Sequence, residues 1–369
     1  MAEISVIAPL DVPEAAALNE PLTTVRTAVA GVSGYAGGEL ARLLLHHPRL
    51  ANSAPIFFGR AGETSKVLLT HLHPHLATSR PSPEVAPFDW DHLTDSGTQI
   101  LFTATPHEQA REWAPGAISR GIRVVDLSAA WRLQEDSNRA VYKLTDANST
   151  LASKLQREAV YGCPELHRDE LRTARLVANP GCYATSIILA LAPLVQAGAV
   201  DLAHGIICDS KSGVSGAGKA ATAKTHFMYA ADNLSAYGVF SHRHTGELLE
   251  QLGVDAESLT FTPHLLPIPR GILSTIYVRF SKPQTTAAIE ACYTNFYKGS
   301  PMVRLYEKTL PQIQYSVHTN YADIGFQLDA SGKRAIIVSC LDNLLKGAAG
   351  QAVQNLNVLE GWPESEGLL

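Results

Sequence analysis

One cysteine in this sequence sits where a sulfur nucleophile would be useful. In "VANPGCYATS" (Val177 to Ser186), Cys182 follows a Pro-Gly turn and opens a long apolar run. Strand, turn and helix in that order place the thiol on a helix N-terminus. The unpaired amides and positive dipole end found there favour a thiolate. The same amides can stabilise an oxyanion developing on a substrate carbonyl. The competing reading is a small core residue, since free cysteine is usually buried. Cys163, Cys208, Cys292 and Cys340 fit that reading, because none of them has the turn-then-helix setting.

A thiolate nucleophile needs a proton partner. His242 and His244, in "SHRHTGEL", precede a helical segment and flank Arg243. His71, His73 and His75, in "HLHPHL", alternate as metal ligands can. No carboxylate or cysteine cluster accompanies them, so a plain loop without metal is expected. Anions need cationic or amide-rich pockets. "DSKSGVSGAGKAA" (Asp209 to Ala221), which contains Ser212, Gly213, Ser215 and Gly216, is rich in Gly, Ser and Lys; its backbone suits a phosphate nest, and the competing reading is a flexible loop. Arg132, in "DLSAAWRL", and Arg270, in "IPRGIL", adjoin apolar strand segments, where a guanidinium fork can hold a carboxylate or phosphate.

A second site lies near the N-terminus. Gly31, Ser33, Gly34, Tyr35, Ala36 and Gly37 belong to a GxxGxxG turn between a strand and a helix. Amides at such a helix N-terminus can hold a pyrophosphate. NAD enzymes tend to carry an acid at the end of the next strand. This chain reads Phe58-Gly59-Arg60 there, and Arg60 offers a fork for a 2′-phosphate. NADP is therefore expected over NAD, with Glu63 nearby tempering the preference.

The elements that must position these groups fall into two textures. From Val25 to Gly181, short buried strands ("VRTAVAG", "APIFFG", "TQILFTATP", "IRVVDLS", "ARLVANP") alternate with helical segments. That pattern implies a parallel sheet covered on both faces. Beyond Val200, strand-like runs dominate ("GIICDS", "LTFTPHLLP", "GILSTIYVRF", "ADIGFQLD", "RAIIVSCLD"), implying a mixed or antiparallel sheet. The fold class is α/β: a Rossmann domain over 25–181 and an α+β domain over 182–342. A C-terminal helical segment, 343–369, is rich in small residues at its start. Residues 1–24 read as a loosely ordered, acidic extension.

Composition narrows the class. The 369 residues carry a net charge of -5, which disfavours a nucleic-acid partner. No apolar run approaches the ~20 residues that span a bilayer. Five cysteines, an odd number without a CxxC pair, argue against disulfides and structural zinc. A reducing cytoplasm fits best.

Eight blocks in order resemble the N-acetyl-gamma-glutamyl-phosphate reductases: "GVSGYAGGEL", "DLSAAWRL", "YGCPEL", "VANPGCYAT", "KSGVSGAGK", "HRHTGEL", "FTPHLLPIPRGIL" and "DNLLKGAAGQAVQNLN". The match runs from about Thr27 to the C-terminus. The resemblance implies a Rossmann NADP-binding domain plus an α+β catalytic and dimerisation domain, similar to aspartate-semialdehyde dehydrogenase. The last helix would return to the cofactor domain. It also implies an NADPH-dependent reduction of an acyl phosphate, in arginine biosynthesis, by a homodimer or homotetramer. Cys182 maps onto the nucleophile and His242 or His244 onto the acid-base. Arg132 and Arg270 map onto substrate contacts, with Asn179, Ser215 and Gly216 beside them. Asn343 maps near the nicotinamide, with Ser128, Ser212 and Gly213 also on the cofactor side. A related acyl phosphate, aspartyl or carrier-bound aminoadipyl or glutamyl phosphate, is the alternative substrate. Tyr183 is typical of the free acetylglutamyl branch. The chain departs from the usual pattern at Ala130 and Trp131, Cys163, Ala184 and Gly246. Of these, Ala130 softens the orientation expected of Arg132.

Overall fold

The computed structural model describes residues 6–7 and 24–369. The chain divides into two compact units, 24–180 with 348–369, and 181–347 with residues 6–7. The extension expected over 1–24 lies outside the described residues, apart from the pair Val6–Ile7 and residue 24.

The first unit holds an eight-stranded sheet. Its order is Val67–Leu68, Glu84–Ala86, Ile56–Phe58, Thr27–Ala30, Ile100–Thr103, Arg123–Asp126, Leu176–Ala178 and Val160–Tyr161. All pairings are parallel except the one made by Val67–Leu68. Thr27–Ala30 and Ile100–Thr103 are wholly buried, which explains their unbroken apolar reading. Because Thr27–Ala30 pairs with a later strand on each side, the chain reverses direction there. Open parallel sheets bind ligands at the carboxyl end of such a switch point. The helix Gly350–Leu359 is buried along its whole length and belongs to this unit. Trp131 fills the core at 0% exposure, and the Arg111 guanidinium stacks 3.9 Å from its ring centroid.

The second unit is a mixed eight-stranded sheet. The order is Val6–Ile7, Val303–Tyr306, Ala322–Leu328, Arg334–Leu341, Ile272–Arg279, Ile206–Gly213, Leu259–Leu266 and Ser235–Ala236. Alternating burial marks its long strands, as expected for a sheet with one covered face. Against the covered face lies the helix Cys182–Gln196, apolar on nearly every side. The Ser186 hydroxyl on that helix is hydrogen-bonded with those of Ser274 (2.9 Å) and Ser339 (3.2 Å) on two strands, donating to one and accepting from the other. Tyr293 donates to the Ala190 carbonyl at 2.6 Å and Tyr297 to that of Leu189. These bonds fix where the helix begins.

The structure corrects one expectation here. The strand read in "GIICDS" runs on through Lys211, Ser212 and Gly213, where loop was expected; Val214–Ala217 then forms a helical turn, and residues 218–221 are irregular as a loop is. Ser210 and Ser212 point inward beneath Cys208, and Ser210 donates to Ser274 at 2.8 Å, so the polar composition still supports a buried strand face. A second correction concerns "HLHPHL", which forms two short helical turns rather than a plain loop. His73 is buried there, with Nε2 2.8 Å from the Val32 carbonyl. Its ring lies against Gly38.

Candidate active site

In the first unit, the glycine turn forms a cradle. Gly31 has φ +86°, and a Cβ there would stand 2.5 Å from the Ala104 carbonyl oxygen. A Cβ on Gly37 would stand equally close to the Gly31 oxygen. Gly34 is the N-cap of Tyr35–His46 and supplies no side-chain cap, so the first amides of that helix remain open to an anion. Ser33 lies in the same turn, Tyr35 starts the helix half-exposed, and Ala36 follows it as the second helical residue. The Arg60 fork reaches over this turn: its Nη2 is 3.6 Å from the point a Gly34 Cβ would occupy. The Glu63 carboxylate folds back onto Gly59 instead. An open helix N-terminus with an arginine over it fits a dinucleotide carrying an extra phosphate.

The carboxyl ends of the later strands carry three more of the expected residues. Asp126 is buried, and burial pushes its carboxyl up from the usual range. The hydroxyls of Thr103 and Ser128 donate to it at 2.7 Å each. Arg132 donates from Nε to the Asn179 carbonyl (2.7 Å) and from Nη2 to that of Leu127 (3.0 Å). Asn179 donates to the Ala348 carbonyl and accepts from Asn355, both at 3.0 Å. The named groups of Ser128, Arg132 and Asn179 therefore bind neighbouring backbone and side chains, which holds the ends of these strands in place.

In the second unit, Cys182 is half-buried and is the first residue of its helix. Together with Tyr183, Ser212, Gly213, Gly216, Lys224, Tyr237, His242, Arg243 and His244, it lines a cavity of about 200 Å³. Six of the expected residues thus meet in one place. His242 sits in an aromatic cage, with ring centroids 5.5 Å from Tyr183, 5.6 Å from Tyr237 and 5.2 Å from Phe261. Burial, then the Arg243 charge, push its imidazole down to about 4. Its Nδ1 accepts the His244 amide at 3.1 Å, so the neutral ring carries its proton on Nε2.

His244 caps the helix Thr245–Leu252 and turns toward Gly181, the cap of the helix Cys182–Gln196. A Cβ on Gly181 would stand 2.5 Å from His244 Nε2 and 2.8 Å from Glu247 Oε1, so a side chain there would displace both groups from where they stand. Glu247 is buried and accepts the Gly181 amide at 2.9 Å. Tyr183 donates to the His264 carbonyl at 2.8 Å, and Tyr237 donates to Tyr183 at 3.4 Å. Burial pushes both phenols up, Tyr237 to about 12, so both stay protonated at neutral pH.

Arg270, Asn343 and Ser215 form a linked group. Asn343 accepts the Gly271 amide at 2.8 Å and donates to Ser215 Oγ at 2.9 Å. Arg270 Nη1 lies 3.5 Å from the buried Asp342 carboxylate. Ser212 donates to the Gly213 carbonyl at 3.0 Å, and Gly213 packs directly on the Arg270 backbone.

Glu247, Asp342, Lys224 and Tyr237 were not singled out from sequence. Glu247 alone left a signal, an acid three residues after His244 at the start of a helix. Of the remaining cysteines, Cys163, Cys208 and Cys340 are buried as core residues are, whereas Cys292 is half-buried and donates to the Pro193 carbonyl at 3.4 Å. Among the described residues, no group of three or more His, Cys, Asp or Glu side chains could hold a metal ion. Nor is any described helix long and apolar enough to cross a membrane.

Residues 26–174 match the family "Semialdehyde dehydrogenase, NAD binding domain", and residues 182–343 match "Semialdehyde dehydrogenase, dimerisation domain". An aspartate semialdehyde dehydrogenase II of Vibrio cholerae superposes with a TM-score of 0.67 at 18% identity, covering 92% of this chain and 99% of its own. One from Candida albicans, solved with NADP, gives 0.64 at 14% identity, covering 92% and 99%. At such identities the likeness is one of fold. Sequence relatives are much nearer. A protein of Syntrophobacter fumaroxidans named N-acetyl-gamma-glutamyl-phosphate reductase is 42% identical, over 93% of this chain and 98% of its own. One of Shouchella clausii with the same name is 39% identical, over 92% and 97%. With both domains matched and that identity sustained over nearly its whole length, the chain belongs to the N-acetyl-gamma-glutamyl-phosphate reductase family.

Proposed function

We propose that the protein reduces N-acetyl-gamma-glutamyl phosphate to N-acetylglutamate 5-semialdehyde and phosphate, a step of arginine biosynthesis, through a thioester on Cys182. The observation that carries this reading is the half-buried Cys182 at an open helix N-terminus, sharing its cavity with His244.

Cys182 attacks the acyl carbon as a thiolate. A C–S bond forms, the C–O bond to phosphate breaks, and phosphate leaves with that electron pair. NADPH, when bound, supplies the hydride that reduces the thioester carbonyl. The oxyanion formed at that carbon is stabilised by amides of the helix N-terminus. Breaking the C–S bond then releases the aldehyde and returns the thiolate. His244 takes the thiol proton at the outset and manages the proton of the oxygen. His242 is the poorer candidate for that part, since burial keeps it neutral and its Nδ1 already accepts an amide.

The residues that would hold the cofactor are Gly31, Ser33, Gly34, Tyr35, Ala36 and Gly37 at the pyrophosphate, with Arg60 at the 2′-phosphate. Ser128, Ser212, Gly213 and Asn343 would serve the nicotinamide end. Arg270 would hold the substrate, with Ser215 and Gly216 beside it. Arg132 and Asn179 act by fixing the strand ends. The protein works as a homo-oligomer, and we place the dimer contact on the open face of the mixed sheet. Ile207, Tyr277 and Ile336 align in one row there, 51%, 42% and 41% exposed.

The test is the reverse assay, with N-acetylglutamate semialdehyde, phosphate and NADP, on wild type and Cys182→Ser. Wild type turns over and Cys182→Ser loses at least about 10³-fold in kcat while binding NADPH normally. Near-normal turnover by the variant removes the nucleophile role, and inactivity of wild type on this semialdehyde removes the substrate.

A further inference from the structure

We infer that Glu247 is a positioning residue of the reaction: its buried carboxylate orients His244 and holds the cap of the nucleophile helix, joining Cys182, His244 and Glu247 into one unit. The inference rests on the reading of Cys182 as nucleophile and His244 as acid-base.

Three observations place Glu247 in that part. It is fully buried, although a glutamate on a first helical turn is ordinarily solvated. Its Oε2 accepts the amide of Gly181, the residue just before the nucleophile. Its Oε1 and the Nε2 of His244 converge on the same face of Gly181, where a Cβ would push both aside. A buried carboxylate needs compensating donors. The Gly181 amide is one, and the facing imidazole is a second that strengthens once it takes a proton. The carboxylate thereby raises the basicity of His244 and fixes its ring, as a third member does in nucleophile-base pairs generally. The Gly181 bond also ties this pair to the backbone that carries the sulfur, so thiol and base keep their relative place.

Other charged and titratable groups face His244 as well. Cys182 and Tyr183 come from the nucleophile helix, His242 and Arg243 from its own loop, and Tyr237 and Lys224 from the cavity wall. Within this set Glu247 and the thiolate are the anionic members, so removing the carboxylate has a definite sign: the imidazolium is disfavoured.

The test compares wild type, Glu247→Gln and His244→Asn as full-length enzymes. Glutamine retains an oxygen that accepts the Gly181 amide, so a purely structural role survives the change. The readouts are Tm, NADPH affinity, kcat and KM, and the pH dependence of kcat/KM from pH 5 to 9. For Glu247→Gln, Tm and NADPH affinity should match wild type, and KM should stay within about twofold. kcat should fall roughly 10²-fold, and the acid limb of the profile should move to lower pH. A profile that superimposes on wild type, with kcat unchanged, overturns the inference. So does a Tm drop large enough to account for the loss. His244→Asn should abolish the acid limb. If it leaves that limb in place, the reading of His244 is what fails, and the two failures are thereby distinguished.

Discussion

Gly347 stands directly against Cys182. A Cβ at position 347 would lie 2.7 Å from the Cys182 Cβ, and the Gly347 amide is fixed by its bond to the Asp342 carbonyl at 2.9 Å. Neither backbone can retreat cheaply, because Cys182 is held by a buried helix whose serine and carbonyl groups are bonded to the sheet and to Tyr293 and Tyr297. Gly347→Ala should therefore displace the sulfur rather than unfold the chain. A displacement near 1 Å at a reacting atom costs about 10²-fold in rate. We expect that fall in kcat, with a parallel slowing of Cys182 alkylation by iodoacetamide and a Tm close to wild type. Alkylation at the wild-type rate would show that the thiol had not moved.

His242 gives the fold an acid-sensitive element. Its folded-state value is pushed down to about 4 from the ordinary 6.5, mainly by burial. Between those values the unfolded chain binds a proton that the folded chain does not. Stability supplied by the neutral ring is therefore whole above about pH 6.5 and drains away as the pH falls toward 4. Buried His47 in the other unit is shifted in the same direction, so the effect is shared. Urea midpoints measured at pH 7.5, 5.5 and 4.5 should fall with pH in wild type. In His242→Asn they should fall less steeply over the same window. Equal slopes would mean that the cage of Tyr183, Tyr237 and Phe261 opens before the ring is protonated.

Much of this was legible in the sequence where local rules decide. The glycine spacing after Ala30, the Pro-Gly turn before Cys182 and the change in strand texture after Val200 all survive into the structure. Two kinds of feature were not legible. The first is alternation hidden by composition: "DSKSG" reads as loop because its residues are polar. The inward-facing Ser210 finds its partner, Ser274, only once the sheet exists. The second is partnership at long range. Arg132 beside an apolar strand reads as an anion site, and its bonds to the carbonyls of Leu127 and Asn179 appear only in the fold. Glu247 looks like an ordinary first-turn acid until the fold brings Gly181 to it, 66 residues away in sequence. Trp131 and Arg111, 20 positions apart by their numbers, pair only across a helix and a loop.

Arg270 offers the sharpest test of substrate recognition, because its neighbour is fixed so firmly. Asp342 is fully buried and accepts the amides of His318 (2.8 Å), Leu344 (2.8 Å) and Leu345 (3.2 Å). That leaves its charge stationary 3.5 Å from Arg270 Nη1, which orients the fork without neutralising its remaining donors. Lysine at 270 keeps the charge and loses the planar fork. Recognition of a carboxylate or phosphate by two parallel bonds then drops to a single point contact. Arg270→Lys should raise KM for the acyl phosphate roughly 10-fold or more, change kcat much less, and leave both NADPH affinity and Cys182 alkylation as in wild type. Arg270→Ala removes the charge as well. It should raise KM further and also lower stability by about 1–3 kcal/mol, because a buried carboxylate loses its counter-charge. The pair of variants separates the two parts of the residue. A KM that moves only in the alanine variant assigns Arg270 a charge-balancing part within the turn around Asp342. A KM already raised in the lysine variant, at wild-type stability, requires the fork itself to meet the substrate.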